Sequence, residues 1–453
     1  MLHKIPIVIF ILIVFQVQAQ TITEYKPVEV SKDSVYLDEK KFKKTVAING
    51  FEGLPKDAVE EVKDIYYSRK KKFLDNTKNH EYIIDPKLTA YLQVTFNNIL
   101  SSAGVPDKDS FRLHLTRYFI PNAYNSGDWS VYFNIGLLAK MENESQIAYV
   151  LCHEMSHQLL KHSIKHIYTY LKTKYSSDLK KEQKEIAKAQ YGTADKLVEV
   201  LKKKVYKFTE HSRDDEKSAD SLGLLLLMRT NYDATEEIRV LQILDSLEAD
   251  TFTVNYQKYF DGSQFHFKDS WLEKSKTLSF GGKAVYEFDE DSVKTHPDCP
   301  LREQYSKLML AGYKPIGKQK NIQPAEKLKA LTDACKFEEV EYMFFMERYA
   351  YCLFHALHLA EEYPNDVYPV TMVSKCLGKI SEASKSHKLY DHIAKPAPNF
   401  QENYNQLLQL FDRVTLNDIN QLNSNYLNNN LNKYGANNSF SKAYKNYNLQ
   451  TKY

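Results

Sequence analysis

The chain has 453 residues, 43% of them hydrophobic and 26% charged, with a formal net charge of +3. That length allows two or three domains, and that apolar content supports a buried core. So small a net charge gives no electrostatic basis for nucleic acid as a partner. Five cysteines, few and odd in number, exclude a disulfide scaffold, although an oxidising compartment would allow one or two bridges.

The N-terminus reads as an export signal. His3 and Lys4 precede an apolar run from Ile5 to Phe15, and Val17-Gln18-Ala19 gives the small-residue pattern at which a signal peptide is cut. The run is shorter than the ~20 apolar residues of a spanning helix. Residues 1–19 are therefore expected to be removed, leaving a periplasmic or secreted chain with no transmembrane span; an uncleaved anchor is the alternative. Residues 20–48 form a polar lead-in.

From residue 49 the pattern turns helical. Lys56 to Lys72 carries Val59, Val62, Ile65 and Tyr66 on one stripe, and Pro86 to Ala103 repeats the pattern with Leu88, Leu92, Phe96 and Ile99. Phe111 to Phe119 alternates apolar and polar residues as a half-buried strand does, and Trp129 to Asn134 reads as a second short strand. One helix is expected from Glu144 to Ile167. The Lys-rich stretch from Ile164 to Phe208 reads as solvated amphipathic helices in preference to a membrane-surface patch. Arg213 to Arg229 is a further helix, buried through the apolar run Leu222 to Met228. Residues 314–415 read as helical and repeat-like, with helices Phe337–Tyr363 and Tyr368–Ser386 broken at Pro364-Asn365-Asp366. The Asn-, Lys- and Tyr-rich residues 416–453 read as a disordered tail.

The chemistry is concentrated at Leu-Cys-His-Glu-Met-Ser-His-Gln, residues 151–158. His153 and His157 are four apart, so on a helix their imidazoles share a face and can share one ion. Glu154, at the next radial position, can take a proton from water during attack on a peptide carbonyl. Nitrogen and carboxylate donors with one position left open suit zinc, one ion per chain. Two histidines on a core helix would produce the same spacing without any metal. The third donor is best sought in Asp214-Asp215-Glu216-Lys217-Ser218-Ala219-Asp220, where Glu216 opens the most apolar helix of the chain. Asp215 and His211 are its rivals. Asp220, one turn after Glu216, can hydrogen-bond the far nitrogen of a ligand histidine and fix its tautomer. His162 and His166 repeat the spacing of four without a glutamate after the first histidine, and read as surface or packing residues.

These motifs resemble the gluzincin metallopeptidases that include the CAAX prenyl protease, the heat-shock membrane protease HtpX and the periplasmic β-barrel assembly-enhancing protease. The resemblance covers residues 49–313. It rests on Asn122-Ala123-Tyr124, Gly127, Val131-Tyr132-Phe133, Gly136-Leu137-Leu138, the metal helix, Glu216-Lys217-Ser218-Ala219-Asp220, and Thr295-His296-Pro297 with Arg302. Asp128 and Gln146 depart from it, standing where a second glycine and a glutamate are common. It implies a mainly α (α+β) fold, a zincin-like helical peptidase domain with a small β-sheet followed by the helical repeat-like region. It implies Glu216 as third zinc ligand, Asp220 as its neighbour, and His296 and Arg302 facing the cleft to hold substrate or the developing oxyanion. The strand near Asn122 would take an extended peptide by edge pairing. The export signal and the helical C-terminal part place the chain nearest the periplasmic branch, which implies polypeptide substrates such as misfolded envelope or outer-membrane proteins. The alternative is a non-catalytic peptide-binding scaffold or chaperone that holds a protein partner through its C-terminal helices.

Overall fold

The computed structural model describes residues 21–28, 50–177, 181, 213–246, 252–263, 265–273, 299–313 and 315–448. Residues 1–19, with the expected signal peptide, lie outside that set, as do His296, most of the Lys-rich stretch and residues 449–453. The expected class holds: the protein is mainly helical with one small sheet.

The N-terminal half begins with α1 (Lys56–Lys78), β1 (Tyr82–Ile83) and α2 (Pro86–Ser102). Asp85 caps α2, its side chain accepting from Lys87 N, and Pro86 sits at the helix start where its missing N–H is no loss. β2 (Arg112–Thr116), β3 (Ala123–Asn125) and β4 (Ser130–Asn134) complete a sheet of order β1-β2-β4-β3. β2 and β4 run parallel, with Leu115 opposite Phe133, while β3 pairs antiparallel with β4 and forms an edge. A short helix α3 (Ile135–Leu138) leads to α4 (Glu144–Leu159) and α5 (His162–Lys174). Next come α6 (residues 213–228), α7 (Glu236–Ser246), α8 (Tyr256–Phe260) and α9 (Cys299–Gly312).

The helix expected from Glu144 to Ile167 is two helices. α4 ends at Leu159, Lys161 takes a positive φ of 58°, and α5 starts afresh at His162. A lysine in the left-handed region carries no sequence signal, unlike a glycine or asparagine there.

One apolar core joins the sheet to α2, α4, α6 and α7 through Phe96, Ile99, Phe133, Ile147, Leu151, Leu224, Leu227 and Val240. A second core is built from α8 and the C-terminal helices α10 (Ala325–Phe345), α11 (Tyr349–Glu362), α12 (Val367–Lys385), α13 (Glu402–Arg413), α14 (Leu416–Tyr434) and α15 (Asn438–Tyr447). Phe119 and Ile120, from the β2–β3 connection, reach into this second core.

The expected tail is therefore corrected: residues 416–447 are largely helical and packed. Ile419, Leu422, Tyr426 and Leu427 of α14 and Phe440 of α15 are buried. A capping box between Thr415 and Asp418 starts α14. The asparagines that suggested disorder serve as buried polar partners. Asn423 accepts from Ser374 Oγ at 2.7 Å and donates to Ser374 O, and Asn425 donates to Phe260 O and Phe265 O. The expected helix Phe337–Tyr363 is likewise broken, at Glu347 with φ 58°.

The polar lead-in is extended over residues 21–28 and fastened to the C-terminal half. Thr23 bridges to Asp366, Tyr25 Oη donates to Glu338 Oε1, and Ser439 Oγ donates to Glu24 Oε1. All five cysteines are buried and none is in a disulfide. Among the described residues no helix is long and apolar enough to cross a membrane.

Candidate metal centre

Helix α4 carries the first two candidate donors and is buried along almost its whole length. Asn143 caps it, its side chain accepting from Gln146 N. Glu144, fully buried at its first turn, accepts from Thr95 Oγ1, Tyr232 Oη and the backbone N–H of Ile322 and Gln323. Burial opposes that charge, but the hydrogen bonds from Tyr232, Gln323 and Ile322 outweigh it and hold the carboxyl below its ordinary range. Such full satisfaction of a buried carboxylate fixes the helix against α2 and the segment that leads into α10.

Helix α6 crosses α4 at Gly223. A Cβ there would lie 3.1 Å from both the N and the Cα of His153, tighter than ordinary packing, so glycine lets the two helices approach this closely without displacement. Seven residues earlier, two turns along the helix, Glu216 then reaches the histidines. Nε2 of His153 lies 3.0 Å from Nε2 of His157, and the Glu216 oxygens lie 3.5 Å and 3.4 Å from those atoms. Donors about 2.1 Å from a tetrahedral zinc would sit about 3.4 Å apart. The three atoms therefore fit a zinc ion, and they are the cluster able to hold a metal among the described residues. His153 and Glu216 are 4% and 5% exposed, while His157 is partly open.

Asp220 lies beside His153. Its Oδ1 lies 2.9 Å from Nδ1 of His153 and accepts from Tyr149 Oη at 2.8 Å. Burial would raise this carboxyl, yet the Arg302 charge and fork, with His153 alongside, hold it well below the ordinary carboxylate range. Burial combined with the Asp220 charge pushes the Tyr149 phenol up, so the hydroxyl stays a donor.

Arg302 lies at the same cavity as Glu154. It is 4% exposed, and its Nε and Nη2 each donate to Asp220 at 2.7 Å, while Nη1 lies 3.2 Å from Glu216. The guanidinium borders the cavity, with Nε and Nη2 held by Asp220 and Nη1 beside Glu216. A buried fork-shaped cation needs such partners, and two acids stand within reach.

Glu154 is buried beside His153 and faces a small cavity with Tyr149, Arg302, Ala123, Leu137, Val150, Val240 and Leu244. The cavity is thus mostly apolar, with its polar groups gathered at the candidate metal end. Asn122, 8% exposed, lies just before edge strand β3, and its carbonyl accepts from Asn134 N. Of the rivals for third donor, Asp215 points away from the cluster toward His162 and His166, and His211 lies outside the described residues.

Two further buried groups lie near the site: His162, read from the sequence as a surface or packing residue, and Glu237, which the sequence reading did not single out. His162 is 4% exposed, packed against His157, and burial lowers its pKa. Glu237 on α7 is fully buried, accepts from Ser306 Oγ at 2.6 Å, and is pushed by burial up to about 8. The sequence offered no signal for Glu237 beyond an acid on an apolar helix.

Residues 86–305 match Peptidase family M48. No curated protein matches the chain. The M48 segment contains α4, α6, strands β2 to β4 and Arg302, so the donor cluster lies within the matched region. Family M48 comprises metal-dependent peptidases that act on polypeptides, and the His153, His157 and Glu216 donors supply the ligand set such a peptidase needs.

Proposed function

We propose that the protein is a zinc-dependent endopeptidase of the gluzincin type, one ion per chain, with Glu154 as general base. The observation that carries this reading is the convergence of the His153, His157 and Glu216 donor atoms to within 3.0–3.5 Å of one another, with Glu154 beside them in an apolar cavity. When bound, zinc supplies a Lewis acid for the scissile carbonyl and acidifies the attacking water. Glu154 takes the proton of that water and delivers it to the departing amine nitrogen. Asp220 holds His153 in the tautomer whose Nε2 lone pair faces the donor cluster. Arg302 acts through Asp220 and Glu216, neutralising buried charge and keeping Glu216 aimed. His296 remains assigned to the oxyanion by resemblance alone.

The outer edge of β3, at Ala123 next to the cavity, suits an extended peptide paired by its main chain, with Asn122 at the start of that edge. Main-chain pairing favours unfolded segments, which with the export-type N-terminus supports misfolded envelope proteins as substrates and quality control as the role.

The test is the purified chain from Gln20 onward, assayed for bound zinc and for cleavage of an unfolded protein. About one zinc per chain is expected, with Glu216→Ala losing it. Glu154→Gln should keep the zinc and lose on the order of 10²-fold or more in kcat. Wild-type cleavage by Glu154→Gln would sink the assignment.

A further inference from the structure

The two candidate ligand histidines are held differently. His153 sits against Asp220, whereas Nδ1 of His157 lies 2.9 Å from Nδ1 of His162. Contact between two ring nitrogens of the same kind leaves open which one carries the proton, and the surroundings of His162 resolve it. Its Nε2 lies 3.1 Å from Ser218 Oγ and 3.3 Å from Asp215 Oδ1. The Ser218 hydroxyl already donates to Asp215 O at 3.0 Å, so toward His162 it can only accept. Both atoms before Nε2 are therefore acceptors, and the His162 proton belongs on Nε2. A neutral imidazole has a single N–H, so His162 Nδ1 accepts and His157 Nδ1 donates. The lone pair of His157 is then on Nε2, the atom turned toward His153 and Glu216. Asp215 is anchored in turn by Nε2 of His166.

We propose that Asp215 and His162 are positioning residues that set the tautomer and ring orientation of His157, and thereby the metal affinity of the site. This rests on reading His153, His157 and Glu216 as metal ligands. His157 with its proton on Nε2 cannot ligate, and a ring without an outer partner is free to turn. The break between α4 and α5 makes the contact possible. Residues five apart on one continuous helix would point about 140° away from each other. Lys161 in the left-handed conformation redirects the chain so that His162 folds back onto His157. Ser218 and Asp215 belong to the helix that carries Glu216, so one helix supplies both the third donor and the orientation of the second.

The experiment measures the zinc dissociation constant of the purified chain by competition with a chromophoric chelator, with circular dichroism and thermal midpoint recorded for each variant. His162→Phe removes the acceptor and should weaken zinc about 10–100-fold, and Asp215→Ala about tenfold. His162→Asn places an amide oxygen one bond from Cγ, where Nδ1 was, and should bind within about threefold of wild type. Glu216→Ala reports on the ligand set itself. If the wild-type chain binds no zinc, or Glu216→Ala binds as well as wild type, the ligand reading fails and this inference with it. If Glu216→Ala loses zinc while His162→Phe and Asp215→Ala bind as wild type does, the ligands stand and the positioning role is overturned. It is equally overturned if His162→Asn is as weak as His162→Phe, since the effect would then be one of packing. Should His162→Phe fail to fold, Asp215→Ala, whose side chain is 19% exposed in the wild type, decides the matter on the same criterion.

Discussion

Glu237 shows what burial does to a single residue in this protein. It lies on α7 with no exposed surface; Oε1 takes the Ser306 hydroxyl, while Oε2 has no hydrogen-bond partner. Burial pushes its pKa from 4.5 to about 8, with the Asp220 charge adding to the effect. The folded protein therefore keeps a proton that the unfolded chain releases, and stability falls as pH rises from about 4.5 through about 8. Glu237→Gln should flatten that fall, giving a higher urea midpoint than wild type at pH 8 and little difference at pH 5. Equal slopes of stability against pH for the two proteins would show that Glu237 is ionised in the fold. The contrast with Asp220 is instructive, since both acids are buried on neighbouring helices. Asp220 has the Arg302 fork and stays charged. The sequence could not separate them, because the Arg302 partnership joins residues 82 apart.

At the scale of elements, the site is the crossing of α4 and α6, and the crossing depends on Gly223. Gly223→Ala would place a methyl 3.1 Å from the His153 backbone and force the helices apart. Overpacking of this kind costs about 1–3 kcal/mol. Glu216 and Asp220 ride on the displaced helix, so zinc affinity should fall together with the thermal midpoint. A variant that loses stability yet binds zinc as tightly as wild type would show that Glu216 does not depend on the crossing. Both helices were legible in the sequence because each is long and its apolar face regular, and the ligand spacing followed from the 3.6-residue period. The break at Lys161 was not legible, since nothing about a lysine marks a left-handed residue. Without the break, His162 read only as a surface or packing residue and not as a partner of His157. The short strands β1 and β3 gave little period to read, yet β3 forms the edge beside the cavity.

At the scale of the whole molecule, the peptidase half is joined to the C-terminal core by a buried pair. Arg117 Nη1 lies 3.1 Å from Glu338 Oε2, the side chains being 1% and 0% exposed. Glu338 also accepts from Tyr25 Oη and Val28 N, so one carboxylate ties together the lead-in, the strand end and α10. Glu338→Ala leaves the Arg117 charge buried and should cost about 3–5 kcal/mol in urea unfolding. Replacing both by Met should recover most of that loss, and additivity of the two single effects would deny the coupling.

The C-terminal helices give the sharper test, because composition suggested that they could be dispensed with. Leu422, Tyr426, Leu427 and Phe440 are buried against α12, α8 and one another. Four such side chains at about 1.5–3 kcal/mol each represent roughly 6–12 kcal/mol of burial, comparable with the whole stability of a domain. Removing residues 416–453 would bare the faces of α12 and α8 and leave Ser374 and the Phe260 and Phe265 carbonyls without their asparagine partners. The truncated chain should aggregate on expression, or bind a hydrophobic dye and melt well below the full chain. A truncated chain that stays monomeric with an unchanged thermal midpoint would mean that α14 and α15 are an appendage, and that the second core closes without them.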